Sequence, residues 1–204
     1  MTNIAVFFLE PTGRERASLR RYRASTEGQC TASGVGYCNA HVETGDRPIS
    51  ASRSFSSKDE ALAFDDRWPT HCACGYEFTV DDAWQDFSRN IYRRADTGEE
   101  MTIHDAPVGA CWNASWFAEA GHYVGPDGRS LVVKTPGGEW MIDGRASNCT
   151  MPDDNVHKCW VRHGRPEDGT LHVDKNGVTC AAGAGSIMAG NYHGFLHHGH
   201  LTEC

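Results

Sequence analysis

The sequence predicts an α+β fold rich in β structure, with short antiparallel strands and hairpins, one main helix over about 79–94, and loops ordered by metal ligands. Three observations carry that expectation. From Gly125 onward, Gly- and Pro-marked turns separate short apolar runs; after Thr79, apolar residues recur at spacings of three and four; and cysteines interleave with histidines in stretches poor in apolar side chains. At 204 residues and 22.4 kDa the chain is long enough to bury a core. With no internal repeat it reads as one domain, 1–204. Within it, 24–78 form a loop-rich knuckle segment and 125–200 a β-rich segment.

The elements follow in order. Ile4 to Leu9 is an apolar strand, expected to stop at Pro11-Thr-Gly13. Arg14 to Arg23 reads as about two helical turns, and residues 24–66, rich in Ser, Gly and Asp, as loops with short strands. The main helix should begin at Thr79, whose hydroxyl can cap the free amides, with Asp82 at the capping-box distance. Ala83, Trp84, Phe87 and Ile91 then share one face, and Arg93 and Arg94 complement the negative helix end. Beyond Gly98, Leu131 to Lys134 and Glu139 to Ile142 flank Pro136-Gly-Gly138 as a hairpin. A second hairpin is expected from Leu171–Val173 and Val178–Cys180 around Asn176-Gly177.

Charge and hydropathy remove several classes of function. The longest apolar run is far shorter than the roughly 18 residues a membrane helix needs, and no secretory leader is legible, so a cytosolic protein without membrane contact is expected. A net charge of −8 disfavours general coating of nucleic acid. The local exception is Arg14–Arg23, which carries arginines at 14, 16, 20, 21 and 23; it is either a solvated, acid-paired face or a contact for phosphate.

Nine cysteines without an export signal point to metal rather than to disulfides. His71-Cys72-Ala-Cys74-Gly75 has the form of a zinc knuckle, with Cys72 and Cys74 as its ligands and His71 in reserve. Cys30 and Cys38 would complete a tetrahedral set, with His41 as a further candidate. A second set, Cys149, His157, Cys159 and Cys180, can close if turns at Pro152-Asp-Asp154 and Asp174–Gly177 fold the chain back on itself; His163 could replace one of them. Both sets imply Zn2+.

The blocks Arg145–Cys149, His157-Lys-Cys-Trp-Val-Arg-His-Gly164, Val173–Gly177, Thr179–Ile187 and Tyr192–Leu196 resemble a family of uncharacterised proteins encoded by bacteriophages and prophages. Trp68–Tyr76, Tyr92–Gly98 and Asp105–Pro107 look like earlier blocks of the same family. The resemblance implies a protein made in the host bacterial cytoplasm that ends in the virion or acts on the host, with a phage structural or host protein as partner. It implies no activity.

Other candidate chemistry is thinner. Gly109-Ala-Cys111-Trp112 is similar to the start of a cysteine-peptidase nucleophile motif over too few residues to transfer; a packed thiol is the expectation. Gly183-Ala-Gly185-Ser186 lacks the lysine of a phosphate loop. His193 to His200 is expected to be a flexible, histidine-rich end. The sequence thus favours a non-enzymatic, zinc-stabilised protein that acts by binding. The alternative is a metal- or cysteine-dependent hydrolase or transferase using the 149–193 Cys/His cluster.

Overall fold

Alternation of buried and exposed side chains, more than local propensity, decides the secondary structure in the computed structural model, which describes residues 3–118, 124–146, 149–151, 153–154, 157–175, 180 and 185–204. In chain order the strands are β1 (Asn3–Ala5), β2 (Phe7–Arg23), β3 (Cys38–Pro48), β4 (Arg53–Phe55), β5 (Ala83–Arg94), β6 (Glu100–Thr102), β7 (Ala110–Asn113), β8 (Leu131–Thr135), β9 (Gly138–Met141), β10 (Val161–His163), β11 (His172–Asp174), β12 (Ile187–Ala189), β13 (Tyr192–His197) and β14 (His200–Glu203). The helices are short: α1 (Lys58–Phe64) and α2 (Ser115–Ala118). The β-rich, largely antiparallel fold expected from sequence is therefore observed. The described residues group into two compact units, one of residues 1–10 and 93–204, the other of Pro11–Tyr92.

In the larger unit the opening apolar run serves two sheets. β1 pairs antiparallel with β14, whereas Phe7–Leu9 pairs parallel with Ala110–Trp112. The break falls at Val6, whose amide donates to Gly199 O at 2.7 Å. The first sheet continues in the order β1-β14-β13-β12. The expected hairpin is present as β8 and β9, with Thr135 opposite Gly138. A core of Val6, Phe8, Cys111, Val133, Ile142, Trp160, Leu171, Ile187, Leu196 and their neighbours fills this unit. His172–Asp174 pairs with Val161–His163. The proposed return strand and its turn at 176–179 lie outside the described residues, as do residues 183–184 of the glycine-rich turn. The histidine-rich tail is not a flexible end: it forms most of β13, the turn after it and the first residue of β14, because Tyr192, Leu196 and Leu201 are buried.

The smaller unit corrects three expectations. The strand from Phe7 does not stop at Pro11; Gly13 takes a left-handed φ of 72° and the extended chain continues to Arg23. Arg14–Arg23 is consequently strand, not helix, paired with β3 from Arg14–Pro48 to Arg23–Cys38 with a bulge at Ala17/Ser18. The segment predicted as the main helix, 79–94, is strand from Ala83 onward. Its capping signature is real but is spent on a turn: Asp82 Oδ2 accepts from the Thr79 amide at 2.8 Å, the Thr79 hydroxyl and the Tyr76 hydroxyl. Beyond that turn, pairing with β4 and β2 decides the conformation, burying Trp84 and Asp86 on one face and leaving Gln85 and Phe87 on the other. The helix lies instead at Lys58–Phe64. Ser57 caps it by accepting from the Glu60 amide, and Glu60 reaches back to the Ser56 amide. Leu19, Phe55, Ala61, Trp68 and Trp84 form the core beneath it.

Candidate metal centres

Each unit contains one convergent cluster of donors. Cys30, Cys38, Cys72 and Cys74 bring four sulfurs together, and Cys149, His157, Cys159 and Cys180 bring three sulfurs and one imidazole nitrogen together; within each cluster all ligand atoms lie within 4.8 Å of one another. These are the two sets read from the sequence. Among the described residues no other group of three or more His, Cys, Asp or Glu donors converges so closely.

The first centre is assembled from two loops. Cys30 lies in the turn that links β2 to β3, where the Gly28 amide donates to Gly36 O at 2.7 Å. Cys38 opens β3, its amide donating to Thr26 Oγ1 at 2.8 Å. Cys72 and Cys74 sit on a tight turn closed by a His71–Glu77 bridge, with Cys72 N to Tyr76 O and Gly75 N to Cys72 O both 2.9 Å. Gly75 has φ +90°, a conformation glycine adopts without penalty. The Cys30–Cys72 and Cys38–Cys74 sulfur separations are both 3.7 Å. A tetrahedral ion bound at about 2.3 Å demands sulfur pairs roughly this far apart.

Burial alone would raise the Cys30 thiol, but hydrogen bonds from the Ser33 amide and hydroxyl bring it down to about 7. Cys74 is held at about 11: the Tyr76 amide lowers it, while burial and the sharing of protons with three neighbouring thiols raise it further. Cys30 therefore gives up its proton more readily than Cys74, which needs a nearby cation to be held as a thiolate.

His71 is outside the centre, exposed and paired through Nδ1 with Thr70 Oγ1 at 2.9 Å. His41 is outside too, because three residues along a strand from Cys38 point to the opposite face. It lies against Phe87, with ring centroids 5.5 Å apart. Burial first, then Arg20 and Arg89, lower its pKa to about 4.

In the second centre Cys149 Sγ lies 3.2 Å and Cys159 Sγ 3.6 Å from His157 Nε2, and Cys159 and Cys180 Sγ are 3.6 Å apart. The imidazole is oriented for this role: Nδ1 lies 3.0 Å from Asp154 O, so it carries the proton and Nε2 keeps a lone pair for the sulfur side. The Met151 amide points at Cys149 Sγ from 3.4 Å. Arg145 Nη1 lies 3.8 Å from Cys149 Sγ and donates to Met151 O at 2.7 Å. His157 and Cys159 both precede β10, and two positions apart they would share a face even in extended chain, so both can turn toward one point. Cys159 is fully buried, and burial together with its neighbouring thiols pushes it up to about 11. His163 is elsewhere, exposed, with Nε2 3.1 Å from Asp174 Oδ1.

Cys111 joins neither centre. It is completely buried in the core of the larger unit, and that burial pushes its thiol far above the ordinary range, so it has neither the access nor the thiolate a nucleophile requires. The sequence did not reveal a pair of buried arginine clusters, one in each unit. Arg162 joins Asp143 at 2.9 Å and Asp127 at 2.7 Å, and Arg47 joins Glu15 at 2.7 Å and Asp86 at 2.9 Å. Gly125 is obligatory beside the first, since a Cβ there would fall 1.8 Å from Arg162 Nη2.

Comparison with known proteins finds no matching family model, no matching curated protein and no matching solved structure.

Proposed function

We propose that the protein is a non-enzymatic binding protein whose two units are each fixed by one structural zinc ion. Cys30, Cys38, Cys72 and Cys74 would hold one ion, and Cys149, His157, Cys159 and Cys180 the other. The observation that carries this reading is closure: each cluster offers four protein donors whose ligand atoms all lie within 4.8 Å of one another. Catalytic zinc keeps one position for water, whereas structural zinc does not. That closure favours a stabilising role over a hydrolase or transferase built on the 149–193 cluster. Thiolate-rich donor sets select zinc over the hard cations. The resemblance of its sequence blocks to phage and prophage proteins is the basis for proposing a phage-encoded protein, made in the host cytoplasm, that engages a virion or host protein.

Elemental analysis of reduced protein purified without chelators tests the metal. Two equivalents of zinc are expected, falling to about one in Cys72→Ser and in Cys159→Ser. Less than a tenth of an equivalent in the unaltered protein would overturn the reading.

A further inference from the structure

Opposite residues in a sheet share a face, so the β2–β3 register sets Arg20 beside His41 and Tyr22 beside Asn39. Gln85, Phe87 and Arg89 of β5 lie on the same side, away from the core that Leu19 and Trp84 build on the other. This outer face differs from the rest of the Arg14–Arg23 run. Arg14 and Arg16 pair with Asp46, Arg23 lies 3.9 Å from Asp82, and Arg21 is buried over the Trp84 ring, so most of that charge is spent within the fold.

Among the described residues Arg20 is bonded only to neutral acceptors: Nε to Asn39 Oδ1 at 2.8 Å, Nη1 to Gln85 Oε1 at 3.1 Å, and Nη2 to the Tyr37 hydroxyl. Its guanidinium lies 4.5 Å from the Tyr22 ring centre and 5.2 Å from that of Phe87. Arg89 reaches over Phe87 at 5.5 Å. Among the described residues neither arginine has a carboxylate in ion-pair range; β3 sets Glu43 opposite Ser18 and Asp46 opposite Arg16, and Asp46 is taken up by Arg14 and Arg16.

We infer that this face of β3, β2 and β5 binds single-stranded nucleic acid, with Tyr22, Phe87 and the Arg20 guanidinium plane stacking on bases and Arg20 and Arg89 meeting phosphates. Aromatic rings interleaved with cations are what unpaired bases and their backbone require, and a duplex hides those base faces. An acidic peptide would use the charges but not the flat rings. Arg20 is already held in place by three side-chain acceptors, which lowers the ordering cost of binding. The overall charge of −8 repels nucleic acid elsewhere, so affinity must depend on this patch.

The inference goes beyond the protein partner proposed above and rests on the strand register and side-chain contacts of this face alone. Its test is fluorescence anisotropy with the full, zinc-loaded chain and a labelled oligo-dT of about twelve nucleotides, compared with a duplex of equal length and a poly-glutamate peptide. Expected are binding of the single strand in preference to both, and weakening with salt at a log–log slope of about 0.7 per phosphate contact. Phe87→Ala should weaken binding roughly 5- to 150-fold, the value of one stacked base. Arg89→Gln, which among the described residues breaks no hydrogen bond or ion pair, should reduce the salt slope by about one contact. No binding at about 50 mM salt, equal binding of duplex or poly-glutamate, or indifference to both substitutions would overturn the inference. Two zinc equivalents in a protein that ignores single strands would sink this inference alone, whereas missing zinc would sink the metal reading.

Discussion

The two candidate metal centres each bring four donors together, against different backgrounds. Around the first, the buried apolar neighbours are Phe78 and the cysteines themselves, with Ala40 and Tyr76 half-buried against them. Around the second, Cys159 and Cys180 belong to the large core that contains Ile142, Leu171 and Ile187. The sulfurs of the first centre therefore substitute for a core, while those of the second complete one. Charge differs as well. A divalent ion on four thiolates leaves a formal charge of about −2, and on three thiolates with a neutral imidazole about −1, which Arg145 can offset.

Metal removal is the largest test of that contrast. Structural zinc contributes about 10–16 kcal/mol in small zinc-folded peptides at pH 7, far more than the few apolar contacts around Cys30 and Cys72 can supply. Chelation should thus abolish hydrogen-exchange protection at 26–38 and 70–78. The sheet of β12, β13 and β14 should keep most of its protection, since Leu196 and Leu201 remain buried without any ion. Equal collapse of both regions would remove the distinction between the two centres.

Arg145 gives a smaller and more selective effect. It touches Cys149, the His157 ring nitrogens and the backbone oxygens of Met151 and Asp154, and it ligates nothing. Partners of this kind typically change metal affinity 10- to 100-fold. Arg145→Met should weaken the second site by such a factor, measured by competition with a chromophoric chelator, and leave the first unchanged. A matching loss at both sites would mean that it acts on folding as a whole.

What was legible in the sequence follows the range of the physics involved. Both ligand sets could be read, because thiol and imidazole chemistry is carried by residue type and spacing, and His71 and His41 could be sorted from Cys72 and Cys38 only by backbone geometry. The β8–β9 hairpin could be read from its Pro136-Gly-Gly138 turn. The strand at 83–94 could not: Ala83, Trp84, Phe87 and Ile91 fit a helical face, and only partners far away in sequence make them strand. Ser57-Lys-Asp-Glu60 did carry the signature of the true helix, ahead of Ala61-Leu-Ala. The Arg20 face was hidden for the opposite reason, since it exists only once three strands are in register.

The buried arginine clusters sharpen the comparison by pH. Burial alone would raise Glu15, but Arg47, Ser50 and Ser88 donate to it and hold its pKa at about 2, against about 4.5 unfolded. A depressed carboxylate pKa stabilises the fold above the unfolded value and loses that contribution as pH falls toward the folded one. Glu15→Gln should therefore lower the melting temperature at pH 7, and the gap from the unaltered protein should close between about pH 4.5 and 2. In the other cluster Asp143 is shifted upward, chiefly by burial, so Asp143→Asn should show no such closing gap.

The smallest expected effect isolates the thiol that belongs to neither centre. Cys111 sits on β7 opposite Val133, packed in the apolar core, and none of the eight ligand residues depends on it. Changing it to Ala removes one sulfur from a well-filled site, which costs about 1 kcal/mol, a typical value for a mild core substitution. Zinc content and single-strand binding should stay unchanged. Iodoacetamide at neutral pH should spare Cys111 in the folded protein and modify exposed Cys204 first, because alkylation needs an accessible thiolate. Rapid, selective labelling of Cys111 would instead identify an opening of the larger unit's core that the protection of β13 and β14 must then also report.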